Sequence, residues 1–313
     1  MLQVSAAQAD RHPLLARTQL MQQGGQLRPE PEVLPPRTGR RGRVLVIAHV
    51  FYPELWPELA ERIRRIPAPL DLVVTLVSGH SVHLTDAIVT QFPDVIVEVV
   101  PNRGRDMWPL VRVAELGLVG DQDAVLKLHT KSSTHRLDGD RWRTQLLDSL
   151  CPSPEGIAGI LELLRADPGV GMVAPAGAVL GREFWGANAP LVQALAIRTG
   201  VAVDPESVWF PGGSMFWARP APLLRLREAG LTVEDFEPEA VAIDGTTAHA
   251  LERFVGALVA ADGLGVIAAD EVAGRLAHLR LDQRAGAPPG AAGESSKGTG
   301  TSADREGGGG HAG

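Results

Sequence analysis

The sequence predicts an α/β fold, one sheet covered by helices on both faces. Two observations predict it. Short runs rich in Val, Ile and Leu alternate along the chain with segments whose apolar residues recur at helical spacing. The first of these runs are continuously apolar rather than alternating, as strands are when both faces of a parallel sheet are buried. A single Rossmann-like sheet of this kind holds its ligands beyond the carboxyl ends of its strands. The polar residues that follow each strand are therefore the candidates for function.

The elements follow in order. Arg43–His49 (RVLVIAH) is a β-branched run bounded by Gly and by Tyr-Pro, the pattern of a buried strand. In Pro53–Ile66, Leu55, Leu59, Ile63 and Ile66 are spaced four, four and three apart, which makes an amphipathic helix. Leu70–Ser78 (LDLVVTLVS) and Val95–Val100 (VIVEVV) read as the second and third strands, and Met107–Leu116 as a helix. Ala124–His129 (AVLKLH) is a fourth strand, followed by helices at Arg141–Leu150 and Ile157–Arg165 and a short strand at Gly171–Ala174. Ser214–Ala218 (SMFWA) is a strand, Leu223–Ala229 a helix, and Thr246–Ala261 the last long helix.

The 313 residues allow one large domain or two small ones, at about 150 residues per domain. Residues 1–40, rich in Gln, Arg and Pro, are expected to be a flexible leader with one short helix at Leu14–Gln23. Residues 283–313 contain no Leu, Ile, Val or aromatic residue and are expected to be a disordered Gly/Ser-rich tail, because such a segment cannot bury enough surface to offset its ordering entropy. The folded domain is then 41–282.

A formal charge of -7 argues against a broad nucleic-acid surface. With Cys151 alone, an internal disulfide framework and the Cys-rich zinc modules are excluded. The start lacks a cationic segment followed by an apolar run. The longest apolar stretches, Val44–Phe51 and Phe254–Ala269, are too short or carry Asp262. The expectation is a cytoplasmic protein, with peripheral contact at the inner face of the plasma membrane left open.

Five stretches carry candidate chemistry. After the third strand comes Asn102-Arg103-Gly104-Arg105-Asp106. Two arginines around a glycine just before a helix can fork onto phosphate oxygens, and Asp106 can cap the helix or take a sugar hydroxyl; a surface turn of Arg–Asp pairs is the competing reading. At the fourth strand, alternation puts Lys127, His129 and Lys131 on one face. Three cations on a buried edge are costly unless an anion compensates them. A diphosphate would do so, with Thr130, Ser132 and Ser133 adding hydroxyl donors; a solvated strand end is the alternative. Asp138-Gly139-Asp140 has the Asp-x-Asp spacing of a divalent-metal site, but it lies in a loop and not at a strand end, so a divalent metal is left open without the support of a well-placed acidic pair, and no other cofactor is indicated. Gly212-Gly213-Ser214, before an aromatic strand, lets backbone approach a ligand closely, or simply turns the chain. Finally, Asp244 stands where a helix N-cap belongs, and a carboxylate there can also act as a general base. On the helix that follows, His249, Glu252 and Arg253 share one face, with Glu252 and Arg253 read as an ion pair within the helix. His49, His80 and His83 lack metal-ligand spacing.

Six segments taken together resemble the rhamnan synthesis protein F family of bacterial surface-polysaccharide assembly. They are HVFYPELW (49–56), NRGRDMWPL (102–110), KLHTKSS (127–133), WRTQLLDSL (142–150), PGGSMFWARPAPL (211–223) and DGTTAHALERF (244–254), in that order. The resemblance implies a glycosyltransferase, with rhamnosyl transfer favoured, in a layout similar to the GT-A nucleotide-sugar fold. It implies a nucleotide-diphosphate sugar as donor, dTDP-rhamnose first, and a glycan or lipid-linked acceptor. In such a layout Arg103, Arg105, Lys127, His129, Thr130, Lys131 and Ser214 would hold the diphosphate and Asp106 a donor hydroxyl. Asp244 or Glu237 would be the base, with His249 beside them. Family members commonly carry Gly-Gln where this chain has Val241-Ala242. That departure leaves a second class open, a non-catalytic glycan-binding or scaffold subunit. An α/β hydrolase, the third class, finds no nucleophile in the sequence.

Overall fold

The computed structural model describes residues 12–24, 37–80, 82–130, 139–239 and 244–285. Their elements, in order, begin with α1 (Pro13–Gln22), β1 (Val44–Val50), α2 (Trp56–Arg64), β2 (Leu70–Val77), α3 (Val82–Gln91), β3 (Ile96–Val100), α4 (Met107–Glu115) and β4 (Ala124–His129). There follow α5 (Gly139–Leu150), α6 (Pro154–Ala166), β5 (Val170–Ala174), β6 (Val179–Leu180), α7 (Ala189–Thr199) and β7 (Phe210–Pro211). The chain continues through β8 (Phe216–Ala218), α8 (Pro220–Leu224), α9 (Thr247–Ala261), β9 (Gly265–Ala268) and α10 (Val272–Ala285).

Seven strands form one sheet in the order β3-β2-β1-β4-β8-β5-β9, and β6 pairs with β7 in a separate two-stranded ribbon. The pairs β2–β3, β1–β2, β1–β4 and β5–β9 are parallel, while β8 runs antiparallel between β4 and β5. The expected single α/β sheet is thus present, and most of its strand pairs are parallel. Because β8 is reversed, its amino end, and the Gly-Gly-Ser turn before it, stands beside the carboxyl end of β4.

Alternate residues of the central strands feed two cores. Leu45, Ile47, Val73 and Val125 pack with α1, α4, α7 and α9; Val44, Val46, Val74 and Leu126 pack with α2, α3, α5 and α6. Every residue of β1 and β4 is buried, which explains their unbroken apolar runs. The odd-numbered face of these strands ends in polar residues: His49 on β1, Thr75 on β2, and Lys127 and His129 on β4. Those residues look toward α4 and α9, and this is where the site forms.

The structure departs from the sequence expectations in several places. Helices α3, α7 and α10 and strand β9 have no counterpart in the sequence reading. α7 is buried on most of its surface and so carries little amphipathic contrast, while β9 has only four residues. Leu223–Ala229 is not one helix; α8 ends at Leu224 and a 3₁₀ turn takes over at Arg225–Arg227. The strand expected from Ser214 starts at Phe216, because Ser214 has φ of 56° and belongs to the preceding turn.

The segment Pro13–Gln22 is helical and seated on the domain, with Leu14 fully buried. Its Arg17 donates to Asp235 at 3.0 Å, and the same carboxylate takes Arg198 at 2.6 Å in the interior. Among the described residues, no helix is long and apolar enough to cross a membrane.

Candidate functional site

The centre of the site is a buried ion pair. Lys127, 1% exposed, donates to Asp106 Oδ2 at 2.5 Å and to the Ser214 carbonyl at 2.7 Å. His129 Nδ1 lies 3.5 Å from the same Asp106 oxygen. Lys127 and His129 share a face, as strand alternation requires. The anion that compensates Lys127 is, however, a carboxylate of the chain itself. This corrects the expectation that a diphosphate is needed to do so. Asp106 holds the N-cap position of α4 without capping it, since its side chain turns to β4 instead. Lys131, Ser132, Ser133 and Asp138 lie outside the described residues.

Thr130, expected at the diphosphate, serves a loop instead, and His49 bonds within the sheet. Thr130 Oγ1 accepts from the N–H groups of Phe51 and Tyr52 at 2.8 and 2.9 Å, so its hydroxyl oxygen orders the turn after β1. His49 meets Thr75 Oγ1 at 2.9 Å, and burial pushes its pKa down to about 4, so it is neutral at physiological pH. Arg103 lies in a one-bridge antiparallel contact with Pro238.

A second cluster forms at the start of α9. Thr246, not Asp244, is the N-cap: its side chain accepts from the His249 N–H. Arg105 Nη1 stands 2.8 Å from His249 Nε2, and Thr246 Oγ1 stands 2.8 Å from His249 Nδ1. A guanidinium can only donate, so Nε2 accepts and the ring proton sits on Nδ1, facing the threonine. Burial, then the charges of Arg105 and Arg253, hold the His249 pKa at about 4. The imidazole is a neutral prop for a cationic arginine. Arg105 itself is held with φ of 54°, and its N–H donates to Glu239 at 3.2 Å.

The third cluster holds the Gly-Gly-Ser turn. Glu252 Oε1 accepts from Gly213 N at 2.7 Å and from Ser214 Oγ at 3.2 Å, while Oε2 accepts from Arg253 at 2.5 Å. The expected Glu252–Arg253 pair is therefore real, and the glutamate also fixes the turn whose carbonyl binds Lys127. Arg253 donates further to the carbonyls of His249 and Phe184 and lies 4.9 Å from the Phe210 ring centroid. Glu252, Arg253 and Trp142 were not read as site residues from the sequence. The signal for the first two was their shared helical face with His249.

The two carboxylates expected as bases have structural duties. Asp244 accepts from Ala187 N at 3.0 Å and from Asn188 Nδ2 at 2.6 Å, tying down the turn at Gly186–Asn188. Burial raises its pKa, but these hydrogen bonds outweigh that effect and leave it below the ordinary carboxylate value. Glu237 accepts from the N–H of Thr247 with both oxygens, at 3.1 Å each, and contacts His12 of the N-terminal segment. Its burial is likewise overridden, by His12 and these donors, and its pKa is lowered.

These clusters surround a cleft of about 440 Å³, lined by Arg105, Asp106, Trp142, Gly213, His249 and Glu252, among others. A second cavity of about 300 Å³ holds Glu237, Glu239, Asp244 and His12, and shares Arg105 and Ala248 with the first. Arg105 thus separates a mixed-charge cleft from a carboxylate-rich one. Among the described residues, no group of three or more His, Cys, Asp or Glu is arranged to hold a metal ion. The arrangement offers an anionic ligand two guanidinium groups, Arg105 and Arg253, and offers hydroxyls the carboxylates of Asp106 and Glu252.

Comparison with known proteins agrees with the sequence resemblance. The model of rhamnan synthesis protein F matches residues 31–264. Uncharacterized protein WxcX of Xanthomonas campestris pv. campestris is 38% identical over 230 residues in strain B100, and 37% in a second strain. The match covers 73% of this chain, which spans about a third of the length of these relatives (33%). Among solved structures, a 4-diphosphocytidyl-2C-methyl-D-erythritol synthase aligns with a TM-score of 0.38 and 15% identity, covering 73% of this chain and 88% of the other. The mannosyltransferase PcManGT of Pyrobaculum calidifontis, in complex with GDP-Man and Mn2+, aligns with a TM-score of 0.32 and 18% identity, covering 71% and 57%.

Proposed function

The chain belongs to the rhamnan synthesis protein F family, and from that premise we propose that it is a glycosyltransferase of bacterial cell-surface polysaccharide biosynthesis. It moves a sugar, rhamnose first among the candidates, from a nucleotide-diphosphate donor such as dTDP-rhamnose to a glycan or lipid-linked acceptor. The observation that carries the reading is the cleft at the carboxyl end of β4, where Arg105 and Arg253 stand within one cavity with Asp106 and Glu252. Guanidinium groups suit the diphosphate and carboxylates suit sugar hydroxyls.

In the proposed reaction an acceptor hydroxyl oxygen bonds to the anomeric carbon as the bond from that carbon to the diphosphate oxygen breaks. The leaving nucleoside diphosphate keeps the electron pair, and its charge is met by fixed cations. Arg105 contacts the diphosphate, with Arg103, His129, Lys131 and the Ser214 turn around it. Lys127 acts from behind by holding Asp106, which takes a donor hydroxyl. His249 orients Arg105. The hydroxyl proton passes to a carboxylate of the second cavity; Asp244, more open to solvent than Glu237, is the assigned base.

The neutralisation of Lys127 by Asp106 favours the second reading, a glycan-binding subunit without catalysis, because that cation is already paired. Calorimetric titration with dTDP and UDP, with and without manganese, separates the two. Nucleotide binding that is lost in Arg105→Ala and weakened in His129→Ala supports the transferase. Oligosaccharide binding with no nucleotide binding supports the subunit.

A further inference from the structure

The ribbon of β6 and β7 forms one wall of the larger cleft, through Leu180 and the Gly212-Gly213 turn. Just beyond that wall the chain carries two large aromatic side chains in solvent. Trp209 and Phe184 are each 49% exposed, in a protein whose other aromatic residues are mostly buried. Leu180 pairs with Phe210, so Gly181 and Trp209 are the next residues outward from the cleft on the two strands. Strand alternation sends Phe210 inward beneath Arg253 and Trp209 outward.

The local build keeps both rings outside. At Gly181 an added Cβ would stand 3.1 Å from the Trp209 indole, so the glycine lets the indole lie against bare backbone. Phe184 N–H donates to the Gly181 carbonyl at 3.1 Å, closing the 3₁₀ turn Arg182–Phe184 directly after that glycine. The Phe184 carbonyl accepts from Arg253, a cleft residue, at 2.9 Å, so the turn is tied to the cleft floor while its ring is left free of the core.

Polar groups surround the two rings. Glu183 Oε2 reaches to 2.8 Å of where a Cβ on Gly181 would be, and the exposed pair Arg182–Glu206 closes at 3.0 Å nearby. We infer that Trp209 and Phe184 form a stacking platform for the pyranose rings of an extended glycan that leads into the cleft. The inference rests on the reading of that cleft as a sugar site. The electron-rich face of an aromatic ring attracts the C–H bonds on the apolar face of a pyranose, while neighbouring carboxylates and guanidinium groups bond its hydroxyls. A protein partner fits poorly, because two rings interspersed with charges are far from the roughly 1,200–2,000 Å² of a stable interface.

The test uses the full chain and a series of rhamnose oligosaccharides from mono- to hexasaccharide, titrated calorimetrically, with dTDP titrated into the same preparations. The expected result is affinity that rises with glycan length in the parent. In Trp209→Ala/Phe184→Ala the hexasaccharide should bind about tenfold more weakly, with unchanged dTDP affinity and thermal midpoint; Trp209→Phe should keep most of the gain. An unchanged hexasaccharide affinity in the double variant overturns the platform, as does a parent indifferent to glycan length. If length dependence is present and dTDP does not bind, the platform stands and the transferase reading falls. If dTDP binds and length dependence is absent, the reverse holds.

Discussion

Lys127 Nζ and Asp106 Oδ2, 2.5 Å apart across the end of the sheet, join β4 to the start of α4 and set the charge of the cleft from beneath. A buried ammonium is tolerable only with a partner, and removing one member leaves the other uncompensated. Lys127→Ala or Asp106→Ala is therefore expected to cost about 3–5 kcal/mol in chemical denaturation. Lys127→Met combined with Asp106→Leu should recover most of that, since no orphan charge remains. Single variants as stable as the parent would show that the pair carries no structural weight.

The neutral state of His249 gives a signature in pH. Its pKa is about 4 in the fold, against an ordinary value of 6.5, because of burial and then the charges of Arg105 and Arg253; Asp244 and Glu237 pull the other way. A histidine depressed on folding binds its proton more readily in the unfolded chain. Its contribution to stability is thus complete above about pH 6.5 and is lost as pH falls toward 4. His49, also at about 4, titrates in the same window. The lowered carboxylates Glu237 and Asp244 begin to lose their contribution as pH falls past their ordinary values of 4.5 and 3.8, at the acid end of this window and below it. Denaturation midpoints measured from pH 4 to 7 should flatten in part in His249→Gln and further in His49→Gln/His249→Gln. A parental slope in the double variant would contradict the assignment.

Gly186 and Gly200 offer a matched comparison. Both have left-handed backbone, at φ of 56° and 65°. An added Cβ meets nothing within 4 Å at Gly200, whereas at Gly186 it would stand 2.1 Å from Asp244 Oδ2. Gly200→Ala should cost only the backbone term, about 1–2 kcal/mol. Gly186→Ala should cost a further 1–3 kcal/mol or so, by displacing Asp244 from Ala187 and Asn188. Equal losses in thermal or urea unfolding would mean that Asp244 holds nothing there.

What the sequence displayed and what it concealed differ by range. The continuous runs of β1, β2 and β4 and the stripe of α9 are local patterns, and each reads directly as an element. Lys127 and His129 fall on one face by strand geometry alone. Their partner could not be read in that way, because Asp106 lies 21 residues away and its type also suits a helix cap. Asp244 was plausible as an N-cap from its place before α9, but Thr246 occupies that role and Asp244 bonds a turn 56 residues distant. The left-handed backbone of Ser214 has no sequence signal, since serine gives no warning of positive φ in the way glycine does.

Glu252 is the residue whose charge most directly opposes an anionic ligand in the cleft. Its carboxylate binds Arg253 at 2.5 Å and the Gly213 N–H at 2.7 Å. Arg253 stays in place without it, through the carbonyls of His249 and Phe184 and the Phe210 ring. Glu252→Gln keeps an oxygen for Gly213 and Ser214 while removing the negative charge, so Arg253 gains positive potential facing the cleft. The expected outcome is dTDP binding tighter by about tenfold, equivalent to about 1.4 kcal/mol, at near-parental stability. Glu252→Ala also frees the turn, and should lose about 1–3 kcal/mol of stability together with the tighter binding. Calorimetry on the two variants checks this, and a glutamine variant that binds dTDP no better than the parent would place the diphosphate away from Arg253.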